Sequence, residues 1–155
     1  MRDAKEFLGR SVFITVTSED GKSNCMVLGL GFEGRAWRKP IFVALVKEER
    51  YTYELLQNAT SFTISVPKAG EMREAVGYFG SKSGRNEDKM ASDLVTFKKA
   101  EKVNGYLVDG CDFYIECNIV YVQPMKKEFF RDQEYAELAY PNQEPHVMFL
   151  GEIVE

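Results

Sequence analysis

Between Gly80 and Lys89 the chain reads Gly-Ser-Lys-Ser-Gly-Arg-Asn-Glu-Asp-Lys. Small residues leave backbone N–H groups accessible there, and Ser81 and Ser83 add hydroxyl donors. Lys82, Arg85 and Lys89 place three cations within eight residues. A loop of that makeup can close around an anion, and its cations form strong charge-assisted bonds to phosphate. The same residues also describe a solvated surface turn whose charge Glu87 and Asp88 offset. A second such place is Arg50-Tyr51-Thr52-Tyr53, at the expected start of a helix. Exposed N–H groups at a helix start attract phosphate, and Arg50 and Thr52 can face one anion. The plainer alternative has Thr52 capping the turn and Arg50 pairing with Glu54 at i,i+4.

Ser23-Asn24-Cys25-Met26-Val27 is the third candidate. Asn24 both donates and accepts, which suits the polar edge of a flat heterocycle, and Met26 can pack against its face. Otherwise the segment is a hairpin strand with a turn-proximal Asn and a core Met. Cys25 reads as a small buried hydrophobe. His146 is the only histidine, which excludes any scheme that needs two; it either contacts substrate near a strand start or is structural. Trp37 lies in Gly34-Arg35-Ala36-Trp37-Arg38-Lys39-Pro40. It either anchors a subunit interface or covers one end of the fold.

These residues must be held by a single domain over 1–155, a length that buries a core without staples. Hydrophobic residues make up 45% and charged residues 28% of the chain, the balance of a folded protein. A net charge of −4 with no basic stripe argues against nucleic-acid binding. No stretch nears the roughly 20 apolar residues of a bilayer span, and the first residues lack the apolar run of a signal peptide. A cytoplasmic location is expected. Cys25, Cys111 and Cys117 form no Cys-x-x-Cys pair. Six strand steps, about 20 Å, separate the last two, too far for a disulfide. No metal site is expected.

Alternating and β-branched runs predict strands over 11–17, 23–32, 41–46, 61–66, 111–123 and 147–154. Asp20-Gly21 marks a hairpin turn, and Gly29 and Gly31 mark a bulge or a close backbone approach. The apolar run Ile41–Val46 predicts a strand covered on both faces. On 111–123, Phe113, Ile115, Cys117, Ile119 and Tyr121 share one face by period-two alternation. Short helices are expected over 3–8, 50–58 and 71–78, and a loop over 80–86. Residues 87–104 are ambiguous, and 126–145 are polar, irregular and partly helical. Antiparallel connections without alternating βαβ units argue for a closed barrel with helices plugging its ends. Without a Gly-x-Gly-x-x-Gly after a strand, a Rossmann site is not expected.

In order and spacing, five stretches resemble the flavin reductase-like family, the flavoredoxin-type FMN-binding split barrels. They are Ser23-Asn24-Cys25-Met26, Trp37-Arg38-Lys39-Pro40-Ile41-Phe42, Arg50-Tyr51-Thr52-Tyr53-Glu54-Leu55, Gly80-Ser81-Lys82-Ser83-Gly84-Arg85 with Asp88-Lys89, and His146 with Phe149-Leu150-Gly151-Glu152-Ile153. The resemblance implies a mainly β, six-stranded Greek-key split barrel with short capping helices. It implies a homodimer with FMN in a groove near the subunit interface. By position, Arg50, Thr52, Ser81, Ser83, Arg85 and Lys89 become phosphate-side candidates. Asn24, Cys25, Met26, Val46 and Lys47 become ring-side candidates, and His146 a substrate-side one.

The implied activity is an NAD(P)H-dependent reductase of free flavin or a ferric chelate. An electron carrier that a protein partner reduces and a flavin-free ligand-binding barrel are the alternatives. FMN would carry the redox chemistry, and the protein would bind and orient it.

Overall fold

Runs rich in Val, Ile, Phe and Thr form the strands of this computed structural model, which describes residues 10–155. The helix expected over 3–8 lies outside the described residues. The strands are β1 (Val12–Thr17), β2 (Ser23–Leu28), β3 (Gly31–Ala36), β4 (Lys39–Val46), β5 (Ser61–Val66), β6 (Phe97–Lys99), β7 (Tyr106–Val108), β8 (Phe113–Pro124) and β9 (Val147–Ile153). Three short helices intervene: α1 (Tyr51–Leu56), α2 (Arg73–Ser81) and α3 (Gln133–Ala139). Seven strands form one sheet in the order β2-β1-β5-β8-β9-β4-β3, and β6 and β7 form a separate ribbon. Every pairing is antiparallel. Among the described residues no helix is long and apolar enough to cross a membrane.

Chain connectivity shows that the sheet is curled. Its two edges, β2 and β3, are joined by Gly29 and Leu30 alone. The three steps from Leu28 to Gly31 reach at most about 11 Å. Laid flat, seven strands would hold those edges roughly 29 Å apart. The edges therefore meet and the sheet wraps into a barrel. One core fills it, drawing Ile14 from β1, Met26 from β2, Phe42 from β4, Phe62 from β5, Ile115 from β8 and Phe149 from β9. A second core lies outside β1 and β2, where Phe13 and Cys25 pack against Ala75 and Phe79 of α2 and Val108 of β7. All of β1 is buried because both of its faces are covered.

The single strand expected over 23–32 is two strands, so the main sheet has seven rather than six. The break falls at Gly29-Leu30, where the chain leaves one edge for the other. A Cβ on Gly31 would sit 2.9 Å from the Val43 carbonyl oxygen, so the close approach expected of a glycine occurs there. The strand over 111–123 also departs from strict alternation. The β8–β9 register shifts between Ile119 and Tyr121. This bulge re-aims the strand: Ile115 and Cys117 stay in the core while Tyr121 is 44% exposed. Helix α2 runs on to Ser81, where the Ser81 hydroxyl donates to the Gly77 carbonyl at 2.7 Å. The Asp20-Gly21 turn is as expected, with Gly21 at φ +89°.

Gly151 of β9 faces the barrel core. A Cβ there would lie 2.5 Å from Cys117 Cβ and 2.7 Å from Phe62 Cζ. Gly29 has nothing within 4 Å of its Cβ position. Gly151→Ala is therefore expected to lower stability by about 1–3 kcal/mol through overpacking, while Gly29→Ala changes it little. Urea midpoints of the two variants check this, and equal losses would contradict it.

Candidate functional site

The two candidate anion segments meet over the end of β2. Arg50 is the N-cap of α1, with extended backbone and no side-chain cap. Two residues on, the Thr52 hydroxyl accepts from the Asn24 side-chain amide at 2.9 Å. Both residues are buried, so this bond joins β2 to α1 inside the protein. The 82–88 loop closes down on the joint. A Cβ on Gly84 would meet Asn24 Oδ1 at 2.4 Å and Tyr51 Cδ1 at 2.5 Å. Only a residue without a side chain lets the loop backbone lie there.

Arg85 locks the loop to α1. Its Nε and Nη2 both donate to Glu54 Oε1, at 2.9 and 2.5 Å, and its Nη1 donates to the Glu49 carbonyl at 2.8 Å. Its guanidinium also lies over the Tyr51 ring. Ser83 Oγ accepts from the Arg85 backbone N–H at 3.2 Å. Lys89 is buried, and its ammonium donates to the Phe79 and Lys82 carbonyls at 3.0 and 2.9 Å. Burial holds its pKa below the ordinary lysine value. By contrast, the side chains of Arg50 and Lys82 are exposed and make no hydrogen bond or ion pair among the described residues. These segments line a cavity of about 290 Å³, walled by Asn24, Met26, Arg50, Ser83, Arg85 and Lys89. A wider groove of about 820 Å³ shares Asn24, Gly84, Arg85 and Lys89 with it.

A third group of side chains follows β4. Tyr140 Oη lies 2.7 Å from His146 Nδ1, with the two rings 5.4 Å apart. Lys47 Nζ donates to Gln143 Oε1 and lies 6.0 Å from the centre of the Tyr140 ring. Burial, then the Lys47 cation, push the His146 pKa below its ordinary value, with Arg50 adding to this and Glu49 opposing it.

The profile of a family described as "Flavin reductase like domain" matches residues 7–155. The chain belongs to the flavin reductase-like family. Over 80 residues it is 31% identical to a high molecular weight rubredoxin of Moorella thermoacetica, across 52% of this chain and 34% of that protein. The match thus spans about a third of that relative's length. The fold is similar to that of an FMN-binding protein from Thermus thermophilus, with TM-score 0.70 and 22% identity over 95% of this chain and 68% of that one. It is also similar to an NADH:FAD oxidoreductase of Streptomyces globisporus C-1027, with TM-score 0.68 and 18% identity over 95% and 74% of the two chains.

In this flavin reductase-like domain, eight of the sequence candidates line the smaller cavity: Asn24, Met26, Arg50, Thr52, Ser81, Ser83, Arg85 and Lys89. Their side chains differ in what they can offer a ligand. Asn24 and Thr52 are bonded to each other, and Lys89 is bonded to carbonyls. Arg85 is held by Glu54, and the Arg50–Glu54 pair of the plainer alternative does not form. Thr52 does not cap α1. Cys25 points away from the cavity into the second core, where burial pushes its thiol pKa up to about 12. Val46 is in the barrel core, and Lys47 turns to Gln143 and Tyr140. Sequence reasoning missed Glu54 as the partner of Arg85, 31 residues away. It also missed Tyr140 and Gln143, which lie in a segment without readable periodicity.

Proposed function

We propose that this protein binds FMN across these two cavities, which share part of their lining, and works as an NAD(P)H-dependent reductase of free flavin or a ferric chelate. One observation carries the reading: two cations, Arg50 and Lys82, make no side-chain hydrogen bond or ion pair among the described residues at a small cavity also lined by Ser83. Every other cation there is already held by protein oxygens. The 290 Å³ volume sits at the lower edge of ordinary ligand cavities, about 300–1,000 Å³. It suits a phosphorylated tail, with a flat ring system extending beyond it. Arg50 and Lys82 bind the phosphate, Ser83 adds a hydroxyl, and Met26 packs on the ring side. Asn24, Thr52, Gly84, Arg85 and Lys89 hold the cradle's shape. The chemistry that FMN would supply there is uptake of hydride from a reduced nicotinamide and release of electrons to the acceptor. His146 contacts the substrate side. The similar proteins described as FMN-binding and as an NADH:FAD oxidoreductase support this choice of cofactor and donor.

A second reading, a flavin-bearing electron carrier reduced by a protein partner, draws on the similarity to a protein named rubredoxin.

The protein further pairs with a second copy of itself. Register aligns Tyr121, Leu150, Val43 and Phe32 in one row across β8, β9, β4 and β3. The row has exposed ends, with Tyr121 at 44% and Phe32 at 53%. Trp37, 64% exposed, adds its ring 6.1 Å from that of Tyr121. Exposed apolar side chains gathered on one face mark interfaces.

Three outcomes are expected. Arg50→Ala weakens FMN by about 1.5–3 kcal/mol, about tenfold to a hundredfold in Kd, and barely affects riboflavin, which lacks the phosphate. Equal losses in a titration of both ligands would remove Arg50 from the phosphate site. Added FMN turns the protein yellow, and anaerobic NADH or NADPH bleaches it rapidly. A bound flavin that neither donor reduces favours the carrier, and a colourless protein leaves only a flavin-free barrel. Light scattering at micromolar concentration gives twice the chain mass, whereas a monomer would refute the pairing.

A further inference from the structure

The Tyr140–His146 pair lies outside both cavities just described. Tyr140 ends α3 and is 5% exposed. Its hydroxyl has one hydrogen-bond partner among the described residues, His146 Nδ1 at 2.7 Å. A buried O–H without an acceptor is unfavourable, and Nδ1 is the acceptor within reach. For Nδ1 to accept, it must carry no proton, which puts the proton of the neutral ring on Nε2. Were Nδ1 protonated instead, it would donate to the phenol oxygen and leave the phenol's own proton unmatched.

The backbone of His146 is also held, its carbonyl accepting from the Met125 N–H at 3.0 Å. The Tyr140 ring is held in turn by Phe130, 6.2 Å away by ring centres, and by Lys47 on its other contact. From the β4–α1 connection, Lys47, Glu49 and Arg50 act on the imidazole. The two cations outweigh the one carboxylate, and the ring is partly buried, so its neutral form prevails at pH 7.

We propose that Tyr140 is a positioning residue that holds His146 as the neutral Nε2–H tautomer. His146 then offers a ligand a hydrogen-bond donor and no charge. It recognises an acceptor such as a carboxamide oxygen, and it does not serve as a general base through Nε2. The assignment of a ligand to this donor rests on the function proposed above, while the tautomer itself does not.

The chain has one histidine, so its imidazole nitrogens can be read without ambiguity. Long-range proton–nitrogen correlation spectra of the full chain at pH 7 are expected to show Nδ1 unprotonated and Nε2 protonated. In Tyr140→Phe, which keeps the ring but removes the hydroxyl, the two nitrogens should move toward the values of a mixed tautomer population. The titration midpoint of His146 should rise, because a bond that favours the neutral form is gone. A protonated Nδ1 in the wild type would overturn the proposal even if the variant failed to fold. So would a folded Tyr140→Phe whose nitrogen shifts and midpoint match the wild type. The spectra need neither flavin nor nicotinamide, so failure of the proposed function shows separately, as absent colour or absent bleaching.

Discussion

The hydrogen bond from the Asn24 amide to the Thr52 hydroxyl joins the barrel to everything built on its end. It is buried, so neither group has water to fall back on, and loss of one partner would strand the other. Asn24 sits on β2, an edge of the sheet, and Thr52 on a helix too short to persist alone. The bond therefore fixes the position of α1 against the barrel. On that joint rests Gly84, and through Gly84 the whole 82–88 loop takes its place. Barrel closure comes first in this chain of dependence. The two-residue link between β2 and β3 brings the edges together and puts Asn24 beside the segment that follows β4.

Charge at the cradle is divided by what each cation already binds. Arg85 reaches Glu54 and the Glu49 carbonyl, and Lys89 reaches two carbonyls, so both spend their donors inside the protein. These bonds draw together the end of α2, the loop and α1. Lys89 is the clearer case, because burial opposes its charge and the two carbonyls offset that cost. The proposed phosphate site therefore rests on Arg50 and Lys82. Among the described residues, Arg85 and Lys89 thus shape the candidate cradle, while the side chains of Arg50 and Lys82 make no hydrogen bond or ion pair.

The segment after β8 is tied down at different points. Asp132 caps α3 by accepting from the Tyr135 N–H at 3.1 Å. The helix ends where Tyr140 meets His146, and Lys47 reaches Gln143 three residues later. A polar stretch without its own core is thus held by Lys47 and His146, side chains that flank β4 and β9.

Much of the barrel was legible because strand residues announce themselves locally. The β-branched runs, the Asp20-Gly21 turn and the alternation along 113–117 each depend on neighbours a few residues away. The candidate cradle was legible for a related reason, since Arg50, Ser83, Gly84 and Arg85 carry chemistry by type and order. The bulge after Ile119 was not, because it arises from pairing with β9, and it turned Tyr121 outward. Within 126–145 the partly helical character was legible but not where the helix falls, because it depends on capping and on contacts with Lys47 and His146. By itself, then, the sequence determined the strands, the turns and the chemical inventory of the site, all set by local preference. Only the tertiary structure decided which cations are bonded to oxygens of the protein, and which way Cys25 and Tyr121 face. Partners such as Glu54 and Arg85 stand 31 residues apart, and nothing but the closed barrel brings them within reach of each other.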